Sequence, residues 1–506
     1  MTQLLMFLTL AANATEKEEE EDLKVKGVEF APAATRMLME FADLSVTPGG
    51  AQDIGYFRDR IAAGEIPHPA VFTPEGLLGE HDLPIDGKGH CNTLLCPIGE
   101  ATEVALIAQP EARYLAQLGF DSGIDAATWA REPVNLVAVV DKSGSMGGQP
   151  IGSVQEALRA VLGNLRPGDR LSIVLYGDTV HTLLGPTPSN DRTAIARAID
   201  GITISGSTNM EAGLVHGFDL ARSSARGFEG ITRVMLFTDE RPNTGRTDAG
   251  SFMDLAIAGS RDGIGMTTIG VGQQFGAELA TQISSVRGGN LFFFPDANKM
   301  RQTFATELDT MITELAYDMD LTVAPAEGIK IVGVYGIPGD AVTWGKDGAL
   351  EMNVATLFAS HEEGAIYFAF APVGDLPQRH VASVGRVDLS FTLRSGERPQ
   401  RSVDFAVTRA PQMGLQRGSM LVDEVTVFKA ATTLHHEQND QEGAWRLVHE
   451  LAGRWAGVSD PDLQNEIDLI GKLENKLALL SGHQGEAPAL TLHRNSVTGL
   501  PGFRHE

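Results

Sequence analysis

An aspartate followed by two serines at alternate positions, Asp141, Ser143 and Ser145, is the group of side chains in this chain best suited to chemistry. They follow directly on the apolar run Val134–Val140, which is typical of a strand buried on both faces of a parallel sheet. Because binding crevices in open parallel sheets lie at the carboxyl ends of the strands, we expect these side-chain oxygens on the rim of a sheet. There they are suited to holding a divalent metal ion.

Two further oxygen-bearing side chains come at equivalent points of the pattern. Thr208 lies in a loop just before a helical pattern, and Asp239 follows Arg233–Thr238, which we predict to be a second buried strand. All five side chains offer hard oxygen ligands, which suit Mg²⁺, Mn²⁺ or Ca²⁺ and not zinc or copper. Two carboxylates neutralise a divalent ion, and three hydroxyls add coordination without charge. If the aspartates act through water, the ion stays electrophilic and accepts a carboxylate from another molecule.

These residues resemble a known family. The pattern Asp141-x-Ser-x-Ser145, Thr208 in a Gly-Ser-Thr loop and Asp239 after a buried strand resemble the von Willebrand factor type A domain with a complete metal-ion-dependent adhesion site. The resemblance implies a Rossmann-like domain that binds protein ligands through the metal, commonly by an acidic side chain. Glu240 stands where many relatives have glycine, which leaves the ligand geometry open. Residues 56–58 and 64–67 also resemble bacterial exported proteins that carry this domain in mid-chain.

The elements that must position these residues alternate regularly between strand and helix from 132 to 316, which predicts an α/β, doubly wound, mostly parallel sheet. Near 317 the apolar period changes from 3.6 to 2, as in Val387, Leu389 and Phe391, and this change predicts a β-sandwich. The predicted divisions are a signal peptide (1–14), an acidic leader or linker (15–50), a small mixed α+β domain (51–131), the metal-site domain (132–316), a β-sandwich-like domain (317–411), a helical segment (412–482) and a flexible tail (483–506).

Composition excludes several classes of function. The 506 residues include 66 acidic and 40 basic side chains, for a net charge of −26, which argues against nucleic acid and anionic membrane surfaces as partners. No apolar stretch reaches the roughly 18 residues of a membrane span. The short apolar segment 4–12 precedes a small-x-small site ending at Ala14 but has no basic n-region. We expect export to the periplasm, cell envelope or extracellular space, with a cytoplasmic location as the alternative.

Cysteine and histidine offer weaker metal sites. Cys91 and Cys96 are the only cysteines, so one disulfide is open to them in an oxidising compartment. A zinc cluster with His90 is disfavoured because a second ligand pair is missing nearby. The histidines of 435–437 and His449 fall on predicted C-terminal helices, where we interpret them as residues of solvated faces.

Other chemical interpretations fit the motifs less well. Ser143–Gly147 nearly matches a nucleophile elbow, but its first glycine is serine and no histidine has a clear partner role. An aspartyl-phosphate enzyme would need a second acid at Ser143. Gly270–Gly276 has the spacing GxGxxxG and not the dinucleotide spacing GxGxxG. Serines that only cap the helix near Pro150 would leave the positions of Thr208 and Asp239 unexplained.

The sequence therefore predicts a non-enzymatic adhesion or scaffolding protein, in which the carboxylate of a protein ligand completes the coordination of Mg²⁺ (or Mn²⁺ or Ca²⁺). The alternative is a cytoplasmic accessory subunit of an AAA+ ATPase or chelatase-type remodelling complex, a use also known for this domain. Cleavage after Ala14 or a disulfide between Cys91 and Cys96 favours the first. The ligand's identity and the oligomeric state stay open.

Overall fold

A seven-stranded sheet built around the apolar run at 134–140 is the central element of the computed structural model. The structure describes residues 45–48, 50–51, 54–86, 91, 93–124, 129–239, 249–271, 286, 288–294, 297–337, 342–345, 347–360, 363–374 and 381–483. The strands are β1 Ser45–Pro48, β2 Gly50–Ala51, β3 Cys96–Glu103, β4 Tyr114–Asp121, β5 Val134–Asp141, β6 Arg170–Tyr176, β7 His181–Pro188, β8 Ile231–Thr238, β9 Ile264–Val271, β10 Gly289–Phe294, β11 Glu314–Pro325, β12 Ile329–Tyr335, β13 Val342–Trp344, β14 Leu350–Ser360, β15 Ala365–Pro372, β16 Ser383–Leu393 and β17 Gln400–Ala406.

The helices are α1 Gly55–Ala62, α2 Pro74–Leu78, α3 Gln149–Asn164, α4 Arg192–Asp200, α5 Met210–Ala225, α6 Ala249–Arg261, α7 Ala297–Thr306, α8 Leu308–Ile312, α9 Met413–Glu437, α10 Gln441–Trp455 and α11 Gln464–Ser481. The prediction of a leader ending near residue 50 falls mostly on residues outside those described. Its last part forms β1 and β2, which pair with β14 and β10.

The central sheet has the strand order β2-β10-β9-β8-β5-β6-β7. Neighbouring strands in this sheet are parallel, except that β6 and β7 form an antiparallel hairpin. Every residue of β5 is buried, because its side chains alternate between two cores. Leu136 and Val140 pack with residues of α3 and α7, whereas Val137 and Val139 pack with residues of α5 and α6. This arrangement confirms the predicted doubly wound α/β fold.

Two antiparallel sheets lie outside the central one. The larger has the order β1-β14-β11-β16-β17, with β13 beside β14, and the smaller has the order β12-β15-β4-β3. Their facing sides meet where Phe368 and Phe370 of β15 contact Phe405 of β17. In the smaller sheet, β3 and β4 precede the central sheet in sequence, whereas β12 and β15 follow it. The α/β domain is thus inserted between strands of one shared sheet, and the predicted boundaries at 131 and 317 stay predictions.

Helices α9, α10 and α11 confirm the predicted C-terminal helical segment. They share one apolar core with α1 and α2, in which Phe57 and Phe72 contact Phe428 of α9. None of the helices in the described ranges is both long and apolar enough to cross a membrane.

Buried ion pairs fix the end of the central sheet opposite the carboxyl ends of its strands. Arg131 donates to both Asp169 oxygens, at 2.9 and 2.7 Å, and Asp169 also accepts from the backbone N–H of Val134 at the start of β5. Near the start of β8, the fully buried Arg233 pairs with Glu314, the first residue of β11. The pair of Arg233 with Glu314 connects the central sheet to β11, the strand that follows the α/β domain.

A buried ionic cluster joins the N-terminal helices to the C-terminal ones. Arg58 of α1 pairs with Glu80 and with Glu466 of α11. His81 lies 3.3 Å from carboxylate oxygens of both Asp462 and Glu466. Burial opposes the charged form of His81, but these two carboxylates raise its pKa to about 10.

Glu424 of α9 is fully buried beside this cluster. Burial, followed by the negative charge of Glu466, raises the pKa of the Glu424 carboxyl well above its ordinary value, although His81 and Arg58 act in the opposite direction. A carboxyl group with a raised folded-state pKa stabilises the fold when protonated. That contribution is fully present below the unfolded pKa and is lost as the pH rises through the folded pKa.

We therefore predict that Glu424→Gln makes the free energy of unfolding less dependent on pH. The neutral amide removes the titration, so the variant should match wild type near about pH 4 and exceed it near about pH 8. Urea unfolding across this range measures the difference. Glu437→Gln, at an exposed position of the same helix, is the matched control and should follow wild type. Parallel curves for Glu424→Gln and wild type would contradict the prediction.

Candidate metal centre

The carboxyl end of β5 leads into a tight turn, which we call the Asp-Ser loop (residues 141–148). Asp141 is the last residue of β5, and its Oδ1 accepts a hydrogen bond of 2.8 Å from the Ser143 backbone N–H. A 3₁₀ turn over Gly144–Met146 follows, and α3 begins at Gln149. The N-cap residue of α3 is Gly148, with no side-chain capping bond, so the alternative in which the serines cap this helix is wrong.

Asp141 is held by hydrogen bonds to both carboxylate oxygens. Besides the Ser143 N–H on Oδ1, Oδ2 accepts from the Tyr176 hydroxyl and from Thr238 Oγ1, each at 3.1 Å. Burial raises the pKa of the Asp141 carboxyl above its ordinary value, and these hydrogen bonds oppose that rise. The carboxylate is therefore oriented by residues at the carboxyl ends of β6 and β8, the two strands that flank β5.

Three oxygens lie in a row across the rim of the sheet. Ser143 Oγ lies 3.0 Å from Ser145 Oγ, and Ser145 Oγ donates to Asp239 Oδ1 at 3.1 Å. Among the described residues, no hydrogen bond joins either serine hydroxyl to a histidine. The row joins the Asp-Ser loop to the residue that directly follows β8.

Thr208 is fully buried in the third loop of the site, which we call the threonine loop (residues 203–209). The Gly144 N–H donates to the carbonyl of Gly206 at 3.1 Å, which brings this loop against the Asp-Ser loop. Gly206 has φ of +87°, and a Cβ there would clash with the Asp178 carboxylate, so the turn requires glycine. Asn209 ends the loop by capping α5, where its side chain accepts from the Ala212 N–H.

The predicted residues thus come to one edge of the sheet, on three loops. Four of them are buried and only Ser145 is exposed, so the site opens to solvent on the side of that serine. Glu240, whose role the sequence left open, lies outside the described residues.

Local sequence patterns missed Tyr176, Thr238 and Asp178. Tyr176 and Thr238 end β6 and β8, so the rule that pointed to Asp141 and Asp239 could also have found them. Asp178 is exposed, and its Oδ1 accepts from the N–H and hydroxyl of Ser207 at 2.7 and 2.6 Å. No spacing rule relates it to Ser207, 29 residues later.

The weaker metal candidates do not form sites in the described part of the chain. Cys91 and Cys96 form a disulfide, which removes both thiolates as zinc ligands. His435 bonds to Gln441, His436 to the Ile66 carbonyl and His449 to Glu474. No group of three or more His, Cys, Asp or Glu suited to a metal is found among the described residues. The Gly270–Gly276 motif lies largely outside the described residues.

The fold and site define a Rossmann-like α/β domain with an oxygen-rich edge, and comparison with known proteins names the family. Residues 135–306 match the family model of the von Willebrand factor type A domain. This part of the chain is therefore a von Willebrand factor type A domain. The match covers about a third of the chain, and the flanking sheets and helices lie outside it.

The curated relatives match little more than a third of this chain. The chain is 30% identical over 190 residues to the uncharacterized protein YfbK of Escherichia coli, covering 37% of this chain and 32% of YfbK. It is 26% identical over 199 residues to inter-alpha-trypsin inhibitor heavy chain H1 of Mesocricetus auratus, covering 37% of this chain and 22% of that protein. The chain therefore spans a third or less of these relatives. A von Willebrand factor type A structure from Catenulispora acidiphila aligns with a TM-score of 0.46 and 15% identity, over 79% of this chain and 89% of that one.

We predict that the Tyr176 hydroxyl makes a measurable contribution to the free energy of unfolding. Tyr176→Phe leaves the ring in place but removes one donor from the buried Asp141 carboxylate, so we expect a loss of about 1–3 kcal/mol in the free energy of unfolding. Urea unfolding without divalent ions measures it. Tyr114→Phe is the control, because the hydroxyl of this buried tyrosine has no hydrogen-bond partner among the described residues. Equal stability of both variants would show that Tyr176 does not orient Asp141.

Proposed function

We propose that this chain is a non-enzymatic, divalent-metal-dependent protein-binding protein. In the proposal, the oxygens of Ser143, Ser145 and Thr208 and the carboxylates of Asp141 and Asp239 hold Mg²⁺. When bound there, the ion would supply Lewis-acid chemistry toward a carboxylate oxygen of a protein ligand. This function needs no nucleophile.

The spacing of the oxygen row carries the proposal. Ligand oxygens that are neighbours in an octahedral Mg²⁺ shell, with bonds of about 2.1 Å, lie about 3.0 Å apart. The separations from Ser143 Oγ to Ser145 Oγ and from Ser145 Oγ to Asp239 Oδ1 are 3.0 and 3.1 Å. The spacing does not separate Mg²⁺ or Mn²⁺ from Ca²⁺, because the six to eight ligands of Ca²⁺ adopt a range of oxygen separations.

The charges of the site support binding to an acidic ligand. Asp141 and Asp239 together balance the charge of one divalent ion, and the hydroxyls add none. Because both oxygens of Asp141 already accept hydrogen bonds from the protein, this residue is better placed to act through water than as a direct ligand. The ion then keeps much of its charge for an incoming carboxylate.

If the five side chains bind a metal ion, the ion should stabilise the protein against thermal unfolding, and the effect should depend on those side chains. Mg²⁺ at a hundredfold excess over its Kd should stabilise wild type by about 2.7 kcal/mol. Asp141→Ala and Thr208→Ala should fold but lose this gain. Thermal unfolding over a titration of MgCl₂ and MnCl₂ measures it.

The control for this experiment is Asp254→Ala, which removes an exposed carboxylate from α6 and should keep the full metal effect. If wild type gains no stability from Mg²⁺, Mn²⁺ or Ca²⁺, the proposed function fails. If Asp141→Ala gains as much as wild type, an ion binds elsewhere and the assignment of the site fails.

We further propose that the protein is exported. The disulfide between Cys91 and Cys96 supports this, because disulfides persist in oxidising compartments and are rare in the cytoplasm. It also favours the adhesion role over a cytoplasmic ATPase accessory role. The signal peptide expected at 1–14 lies outside the described residues.

Export predicts two features of the protein purified from its natural source. Its N-terminus should be Thr15, because cleavage follows Ala14. Peptide mass spectrometry without reductant should recover Cys91 and Cys96 joined in one species. A retained Met1 together with two free thiols would place the protein in the cytoplasm and contradict the proposal.

A further inference from the structure

A buried lysine stands inside the motif of the metal centre. Lys142, between Asp141 and Ser143, has only 6% of its surface exposed. Lysine is among the residues least often buried, and an ammonium in such a place needs hydrogen bonds or a counter-ion. Among the described residues, Lys142 has no carboxylate oxygen within 4.0 Å of its Nζ, although the charge of Asp178 lies near enough to interact with it.

The hydrogen bonds of Lys142 connect three loops. Its backbone N–H donates to the Tyr176 carbonyl at 2.9 Å, and its own carbonyl accepts from the Ser205 N–H at 2.6 Å. Its Nζ donates to Ser205 Oγ at 2.9 Å and to Thr179 Oγ1 at 3.3 Å. The Asp-Ser loop is thereby tied to the threonine loop and to the turn between β6 and β7.

The surroundings of the side chain leave it little freedom. A Cβ on Gly177 would lie 3.2 Å from both Cγ and Cε of Lys142, so the aliphatic stem passes directly over that glycine. Next to it, Asp178 accepts two hydrogen bonds from Ser207. Those bonds, and to a smaller degree the charge of Lys142, lower the pKa of the Asp178 carboxyl. The side-chain contacts of Ser205 and Ser207 therefore add to the backbone bonds that hold the threonine loop, on the residues just before Thr208.

We propose that Lys142 is a positioning residue that fixes the threonine loop against the Asp-Ser loop, so that Thr208 is held in place for the metal ion. This inference rests on the proposed function of the site. Lys142 does not touch the ion in this account. It acts through Ser205, and its hydrogen bonds exist without metal.

The positioning role and a purely electrostatic role predict opposite results. A positive charge beside a cation site weakens cation binding, so charge alone predicts that Lys142→Met tightens the binding of Mg²⁺. If Lys142 positions the loop, Lys142→Met keeps the packing over Gly177 and the backbone bonds but removes the side-chain hydrogen bonds to Ser205 and Thr179, so the loop is held less firmly. Binding should then weaken about tenfold to a hundredfold, the usual cost of losing a residue that orients metal ligands.

The experiment measures the Kd of Mg²⁺ by calorimetry on the full chain. Ser205→Ala, at an exposed position, should weaken binding by a similar factor, because it removes the same hydrogen bond to the charged Nζ of Lys142. The double variant Lys142→Met/Ser205→Ala should bind no more weakly than Lys142→Met alone, because both changes remove the same contact. Lys330→Met, at an exposed position of β12, is the matched control and should bind like wild type.

Amide hydrogen exchange without metal separates this inference from the proposed function. Peptides covering residues 203–209 should exchange faster in Lys142→Met than in wild type, whether or not an ion binds. If wild type binds no divalent ion but this difference is seen, the loop contact stands and the proposed function fails. Unchanged exchange, or tighter Mg²⁺ binding by Lys142→Met, overturns the positioning role. If Lys142→Met does not fold, the Mg²⁺ affinity and the amide hydrogen exchange of Ser205→Ala test the positioning role instead.

Discussion

The buried carboxylate of Asp141 is the constraint on which the site depends. An ionised carboxylate at the end of a fully buried strand is stable only if neighbouring groups donate to it. Here the donors come from its own turn and from the last residues of the two flanking strands. Those bonds fix the directions in which the three strands deliver their loops. The oxygens of Ser143, Ser145 and Asp239 then lie in a row because the strands that carry them are held in register.

The rest of the chain stabilises the opposite end of the same sheet. Arg131 and Asp169 hold the start of β5, and Arg233 with Glu314 connects β8 to the strand that leaves the domain. Strands that precede the α/β domain and strands that follow it pair in the same smaller sheet, β12-β15-β4-β3. The chain segments that enter and leave the domain are therefore both anchored to that sheet. The edge that carries the site is thereby left open, with Ser145 exposed to solvent.

The sequence predicted the central domain well because its signals are local. Buried strands appear in the sequence as nearly continuous apolar runs, which allowed the fold to be predicted. The oxygen-bearing side chains lie at the ends of these strands or in the loops beyond them, so the positions of Asp141, Thr208 and Asp239 could also be predicted. Contacts between segments that are distant in the sequence could not be predicted. Arg58 pairs with Glu466 across 408 residues, and β4 pairs with β15, but neither partner has a sequence pattern that points to the other. Lys142 was missed for a different reason, since a lysine in a loop is expected to be solvated and this one is buried.

The most direct test of the account is a crystal structure of the full chain grown with MnCl₂, with the ion located by its anomalous scattering. The account predicts one strong peak about 2.1–2.2 Å from the hydroxyl oxygens of Ser143 and Ser145, within one coordination shell of Thr208 and Asp239. It further predicts that the peak is absent from Asp141→Ala crystals. A well-ordered site with no peak, or a peak bound by other residues, would contradict the central claim that these five side chains form a metal centre.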